Sequence, residues 1–296
     1  MKYRNFLILL VFTFASFSTF AQANLLNAKV PSEIGKKSAA QLISDNDKPL
    51  AYGYVHDRDV LMGKTTWEII DLDERINFPL YYPIDTANIG KERRSLYAVL
   101  TKAMQEGKLT EVYTDSYFNT KKTYKDILAS LSKIDTTDGG KEQFNAGIKI
   151  DAQYIVKTDL TAEDVTDYKI KGYWYFDKRQ SELKYRLIGI CPVTPDVYTI
   201  GKDDQDYIEL FWVYFPAVRD ILHEAKAFND RNSAMPISFD HLLNSRRFSG
   251  VIYKEENVYG DREIAQYMRD NAQLELLESE RVKDKIRDFE QDMWNY

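Results

Sequence analysis

From Tyr52 onward, apolar and polar positions fall into runs with two different periods. Leu96, Val99, Leu100, Ala103 and Met104 recur at i, i+3, i+4, i+7 and i+8, one face of a helix, and Gly107 follows where a helix C′ residue belongs. A strand is expected at 109–113, then a shorter helix with Tyr124, Ile127, Leu128 and Leu131 on one face. The run YKIKGYWYF alternates, with Tyr168, Ile170, Gly172, Trp174 and Phe176 on one side. ELKYRLIGI alternates too, Leu183, Tyr185 and Leu187 against Lys184, Arg186 and Ile188, and the polar DKRQS between the runs makes a β-hairpin. YIELFWVYF reads as a further strand that enters a helix at Pro216. Ser238 caps a helix facing Phe239, Leu242 and Leu243 inward, and Val251, Ile252 and Tyr253 form a strand.

Other segments carry weaker patterns. Residues 60–74 are expected to be helical, ending before Pro79 and Pro83, and the polar 132–145 segment around TTDGG to be a loop. Thr161 to Asp164 have the spacing of a capping box. Asp261 is the expected N-cap of a long charged helix over 261–292, in which Val282, Ile286, Phe289 and Met293 form a heptad-like seam. That seam is expected to pack on its own domain or, as the alternative, on another subunit, and removal of 275–296 to leave a foldable body with weakened assembly. Arg58-Asp59-Val60-Leu61 is echoed by Arg219-Asp220-Ile221-Leu222, which raises the idea of an internal duplication. The fold class is α+β: an antiparallel, hairpin-containing sheet with packed helices and a long C-terminal helix.

The N-terminal end changes the setting. Lys2 and Arg4 precede an apolar run from Phe6 to Phe20 and small residues at Ala21, the layout of an export signal. The run is interrupted by Thr13, Ser16, Ser18 and Thr19 and is short for a spanning helix. The expected organisation is a signal peptide over 1–21, a polar arm over 22–47, a core over 48–262 and the C-terminal helix over 263–296. Removing Lys2 and Arg4 leaves 38 basic against 46 acidic residues, a net charge of −8 instead of −6. This acidic balance gives no electrostatic reason to bind nucleic acid or an anionic bilayer. A single cysteine, Cys191, excludes an intrachain disulfide, and its apolar setting suits a buried thiol.

The residue patterns of common catalysts are missing. His223-Glu224 begins a zinc-protease pair, but Ala227 stands where the second histidine is needed. His56 with Asp57 and Asp59 is a poor metal set in a solvated turn, and no glycine-rich phosphate loop or nucleophile elbow is present. No catalytic residue, metal or cofactor is therefore assigned.

Five blocks carry a resemblance: WEIIDLDERINFPLYYP (67–83), KGYWYFDKRQSELKYRLIGI (171–190), FWVYFPAVRDILHEAKAFN (211–229), SFDHLLNSRRFSGVIYKEENVYGDR (238–262) and DMWNY (292–296). In them the chain resembles the GldN (PorN) family of gliding-motility and type IX secretion proteins over residues 48–296. The resemblance implies a periplasmic structural component without catalytic residues; the alternative is an independent periplasmic enzyme or ligand-binding protein. It implies assembly with a GldK/PorK-like outer-membrane lipoprotein into a ring, and contact with the periplasmic part of a GldM/PorM-like motor protein. A ring needs one patch of each copy to meet a different patch of its neighbour. Interface anchors are commonly aromatic or arginine, so the candidates are Trp174, Tyr175, Trp212, Arg246, Arg247, Tyr253, Tyr259 and Trp294. Ordinary core packing is the alternative for each tryptophan.

Overall fold

A computed structural model describes residues 30, 48–85, 94–149, 151–200, 202, 205–228, 237–268 and 271–294. The expected signal segment and, Val30 apart, the polar arm lie outside the described residues. The folded body is built on one antiparallel sheet in the order β12-β1-β6-β7-β8, in which β9 also pairs with β7. These strands are β1 (Val60–Asp71), β6 (Asp167–Asp177), β7 (Glu182–Pro195), β8 (Tyr207–Glu209), β9 (Val213–Tyr214) and β12 (Val251–Glu255). Three small ribbons lie outside it: β2 (Val112–Tyr113) with β3 (Lys121–Lys122), β4 (Ser132–Thr136) with β5 (Ile155–Asp159), and β10 (Lys226–Ala227) with β11 (Ile237–Ser238). Eight helices are described: α1 (Phe78–Tyr81), α2 (Leu96–Gln105), α3 (Tyr124–Leu131), α4 (Asp138–Asn145), α5 (Phe215–Glu224), α6 (Phe239–Asn244), α7 (Ile264–Tyr267) and α8 (Ala272–Trp294).

Strand alternation divides the sheet into two faces. Ile70, Tyr168, Ile170, Leu187 and Ile190 point to one side and join Leu96, Leu100, Phe215, Val218, Phe239 and Leu243 in the main core. Helices α2, α5 and α6 meet there because their apolar residues fall on one stripe and their starts are satisfied. Ser95 and Ser238 accept the N–H groups of Ala98 and His241, and Pro216 occupies the first turn of α5. Two bulges keep the pattern in register. Ile188 is the extra residue between the pairs Lys171–Gly189 and Gly172–Leu187, which lets both Leu187 and Ile190 enter the core. Tyr253 is the extra residue between the pairs Trp67–Lys254 and Glu68–Ile252.

The α+β class, the hairpin, the helices at 96–105 and 124–131 and the capping box at Thr161 are as expected. Leu128 differs in detail, being exposed while Ile127 and Leu131 are buried. The strand expected through YIELFWVYF is split into β8 and β9.

Other expectations are corrected. Residues 60–71 form an interior strand of the sheet, not a helix. Thr65, Thr66, Ile69 and Ile70 are β-branched, and Gly63 leaves room for the Tyr173 hydroxyl, 1.8 Å from where a Cβ would stand. The 132–145 segment is not a loop but β4 followed by α4. Its glycine signal has a packing cause: the Tyr154 ring lies 2.8 Å from the Cβ position of Gly139. The two tetrapeptide echoes take different structures, a turn entering β1 at 58–61 and the interior of α5 at 219–222, so the echo is not a structural repeat.

Asp261 does not cap the last helix. Its backbone is left-handed (φ 58°), and its carboxylate accepts bonds from the Asn257 N–H at 3.1 Å and the Tyr117 hydroxyl at 2.8 Å. The short α7 begins at Ile264, and α8 begins only at Ala272. The seam of α8 packs on its own domain: Val282 and Ile286 join Ile252, Ile264, Met62, Trp174 and Leu183, and Phe289 meets Phe176 edge-on at 5.9 Å. Burying Val282 and Ile286 contributes about 1.5–3 kcal/mol each. Ser279 Oγ accepts the Ile252 N–H at 2.9 Å, and Lys283 donates to the Gly250 carbonyl at 3.1 Å. This helix covers the open side of β12 and so protects a sheet edge. It is part of the body rather than a detachable appendage.

Candidate interaction surfaces

Between the main core and the α8 contact, Glu68 points from β1 into a nearly water-free position, 1% exposed. A lone carboxylate there is very costly. Arg246 supplies the counter-charge through a two-pronged contact, Nη1 to Oε1 at 3.0 Å and Nη2 to Oε2 at 2.7 Å. Its guanidinium also lies over the rings of Tyr185 (4.2 Å), Trp174 (4.9 Å) and Phe248 (5.1 Å). Burial works against the Arg246 charge, but the bonds to Glu68 outweigh it and hold its pKa above the usual arginine value. The side chain reaches this place because Arg246 follows α6 in a left-handed conformation (φ 50°). It acts as a bolt between β1 and the 246–248 turn.

The opposite face of the sheet carries lysines among aromatics. Trp67, Cys191 and Trp212 form a buried cluster flanked by Tyr113, Phe118 and Tyr253. Lys171 and Lys254 lie over the Trp67 ring at 4.9 and 4.7 Å and over the Tyr117 ring at 4.7 and 5.0 Å. Burial lowers the Lys171 pKa. Tyr117 accepts from Lys254 at 3.0 Å and donates to Asp261 at 2.8 Å; burial and then that bond push its hydroxyl up to about 12. Lys169 lies over Tyr253 at 5.1 Å and bonds Glu209, which also accepts the Trp212 indole N–H at 2.7 Å.

The eight candidate anchors thus separate. Trp212 is wholly buried and Tyr175 nearly so, whereas Trp174, Arg246 and Tyr253 are half-buried members of the clusters above. Trp212 belongs to the core, which leaves it no surface for a partner. Arg247, Tyr259 and Trp294 are open to solvent, Tyr259 at 75% and Trp294 at 66%. Exposed apolar residues absent from the candidates include Val258 beside Tyr259, Leu276 and Leu277 on α8, and Ile134 and Phe144 in the β4–α4 segment. Leu276 and Leu277 were legible as residues off the Val282–Ile286 seam. Ile134 and Phe144 were hidden by the loop assignment.

Cys191 is buried, and burial raises its thiol pKa well above the usual value, the reverse of an activated nucleophile. Among the described residues no group of three or more His, Cys, Asp or Glu is arranged to hold a metal ion. No helix among them is long and apolar enough to cross a membrane.

Comparison with known proteins gives the class. The family model described as gliding motility associated protein GldN matches residues 55–295. The chain belongs to the GldN family, whose members are components of the gliding-motility and type IX secretion machinery rather than a known enzyme family. A search of the curated proteins found no match to the chain.

Proposed function

We propose that this protein is a periplasmic scaffold of the type IX secretion and gliding-motility machinery. In this reading it is exported by its N-terminal signal and assembles with a GldK/PorK-like lipoprotein into a ring beneath the outer membrane. It also contacts the periplasmic part of a GldM/PorM-like motor protein. The observation that carries the reading is the GldN family match over 55–295. The exposed apolar residues support it, because they lie on separate segments: Val258 and Tyr259 in one turn, Leu276, Leu277 and Trp294 on α8. A closed ring of identical copies requires two different patches on each. Arg247, Tyr259 and Trp294 are the proposed anchors, while Trp174, Tyr175, Arg246 and Tyr253 shape the body behind them.

The test is co-purification with the lipoprotein, followed by electron microscopy. Rings are expected with the wild-type chain. Leu277→Asp and Tyr259→Asp should each weaken them while leaving near-ultraviolet circular dichroism unchanged. A chain that neither binds the lipoprotein nor forms rings would sink the proposal. Deleting 275–296 is the poorer experiment, since it also uncovers β12.

A further inference from the structure

The lower part of β7, Glu182 to Ile188, has β6 on one side and no strand on the other among the described residues. The segment 49–55 runs past that open side and forms one wall of a cleft of about 320 Å³. The Tyr52 ring is held between two guanidinium groups, Arg219 at 4.1 Å and Arg186 at 4.6 Å, and its hydroxyl donates to Asn244 Oδ1 at 2.8 Å. The charges of the cleft do not balance. Arg219 is neutralised by Asp240 through bonds of 2.8 and 3.1 Å, and Lys184 lies 3.4 Å from Asp177. Arg186 has no carboxylate partner among the described residues. Its Nη2 donates to the Gly53 carbonyl at 3.2 Å and contacts the Tyr175 hydroxyl at 3.5 Å, and its Nε and Nη1 donors make no hydrogen bond there. Tyr175 flanks it at 5.6 Å.

We propose that this cleft binds an acidic peptide segment, an aspartate or glutamate carboxylate of which pairs with Arg186. A guanidinium fixed against aromatic faces has already lost much of its side-chain freedom, so pairing with a carboxylate orders little more. Its free N–H groups match the two oxygens of a carboxylate. Leu50 and Tyr54, which line the cleft and are exposed, give the flanking peptide an apolar surface to lie on. The inference needs only the cleft, not the ring, and stands or falls separately from the scaffold reading.

The test uses the purified protein and two fluorescein-labelled peptides, acetylated and amidated at their ends. One carries three glutamates, the other glutamines at the same places. Fluorescence anisotropy at low salt should give at least tenfold tighter binding of the glutamate peptide, with the difference shrinking as salt is added. Hydrogen exchange should show protection at 50–55 and 184–188 on binding. Arg186→Gln should abolish the preference and Arg186→Lys should keep part of it. Equal affinity for the two peptides in the wild type, or protection elsewhere, would overturn the proposal even if Arg186→Gln did not fold. Displacement of the peptide by equimolar free glutamate would also overturn it, by reassigning the cleft to small carboxylates.

Discussion

Replacing Arg246 by methionine leaves the Glu68 carboxylate in place with its two contacts of 2.7 and 3.0 Å gone. Glu68 is 1% exposed, and the Arg246 side chain retains 25% exposure, so some water reaches the arginine end of the pair. Removing one member of a buried pair costs about 3–5 kcal/mol, and the access at Arg246 places the expectation near the lower end, about 3 kcal/mol. For a body of this size that lowers Tm by roughly 6–12 °C. The double replacement Glu68→Leu with Arg246→Met removes both charges and keeps much of the volume, so it should recover most of the loss. The assay is urea unfolding followed by tryptophan fluorescence, on the wild type, both single variants and the double variant. A single Arg246→Met loss below about 1 kcal/mol, or a double variant no better than the sum of the singles, would refute the description of Arg246 as the partner that makes Glu68 tolerable.

Three further outcomes are expected. Gly172→Ala would bring a Cβ within 2.2 Å of Tyr185 ring atoms, so stability should fall by about 1–3 kcal/mol; a neutral or stabilised variant in urea unfolding contradicts the packing described. Ser279→Ala strands the buried Ile252 N–H, at a cost of about 1–3 kcal/mol, and should accelerate hydrogen exchange at Ile252 above its neighbours in β12. Because burial raises its pKa, Cys191 should resist iodoacetamide in the native protein even at about pH 8.5, the ordinary thiol pKa, and react fully in urea, as read by mass spectrometry. Rapid native labelling would show that the strand around it opens.

The parts legible in the sequence are those whose signal is local. The helix 96–105 follows from its spacing and from Ser95, and the hairpin from two alternating runs and a polar turn. Strand β1 carries no such local signal, because its partners lie far along the chain. Trp67 pairs with Lys171 on one side and Lys254 on the other, partners more than a hundred residues away that no local pattern reveals. The candidate anchors fared unevenly for a related reason. Trp212 and Tyr259 are both aromatic, yet one lies under the Glu209 carboxylate in the core and the other on an open turn. Residue type alone does not distinguish them. Arg246 is an anchor candidate by residue type alone, and nothing near it in sequence points to Glu68. In sequence Arg186 is only one position of an alternating strand, and its stacked setting depends on Tyr52, which reaches it only in three dimensions.

The place of β1 between β6 and β12 also sets the order in which the fold can finish. A chain grows from its N-terminus, so β1 exists long before the strand that closes its second side. The β1–β6–β7 part can pair once residue 195 is available, but Glu68 then has no counter-charge and one side of β1 is open. Arg246, β12 and the α8 cover all come from the last stretch of chain. Contacts this distant are slow to form because the intervening loop must first be closed. The unfinished body is therefore penalised by the same carboxylate that Arg246 later secures, and the native state locks only when the C-terminal segment arrives.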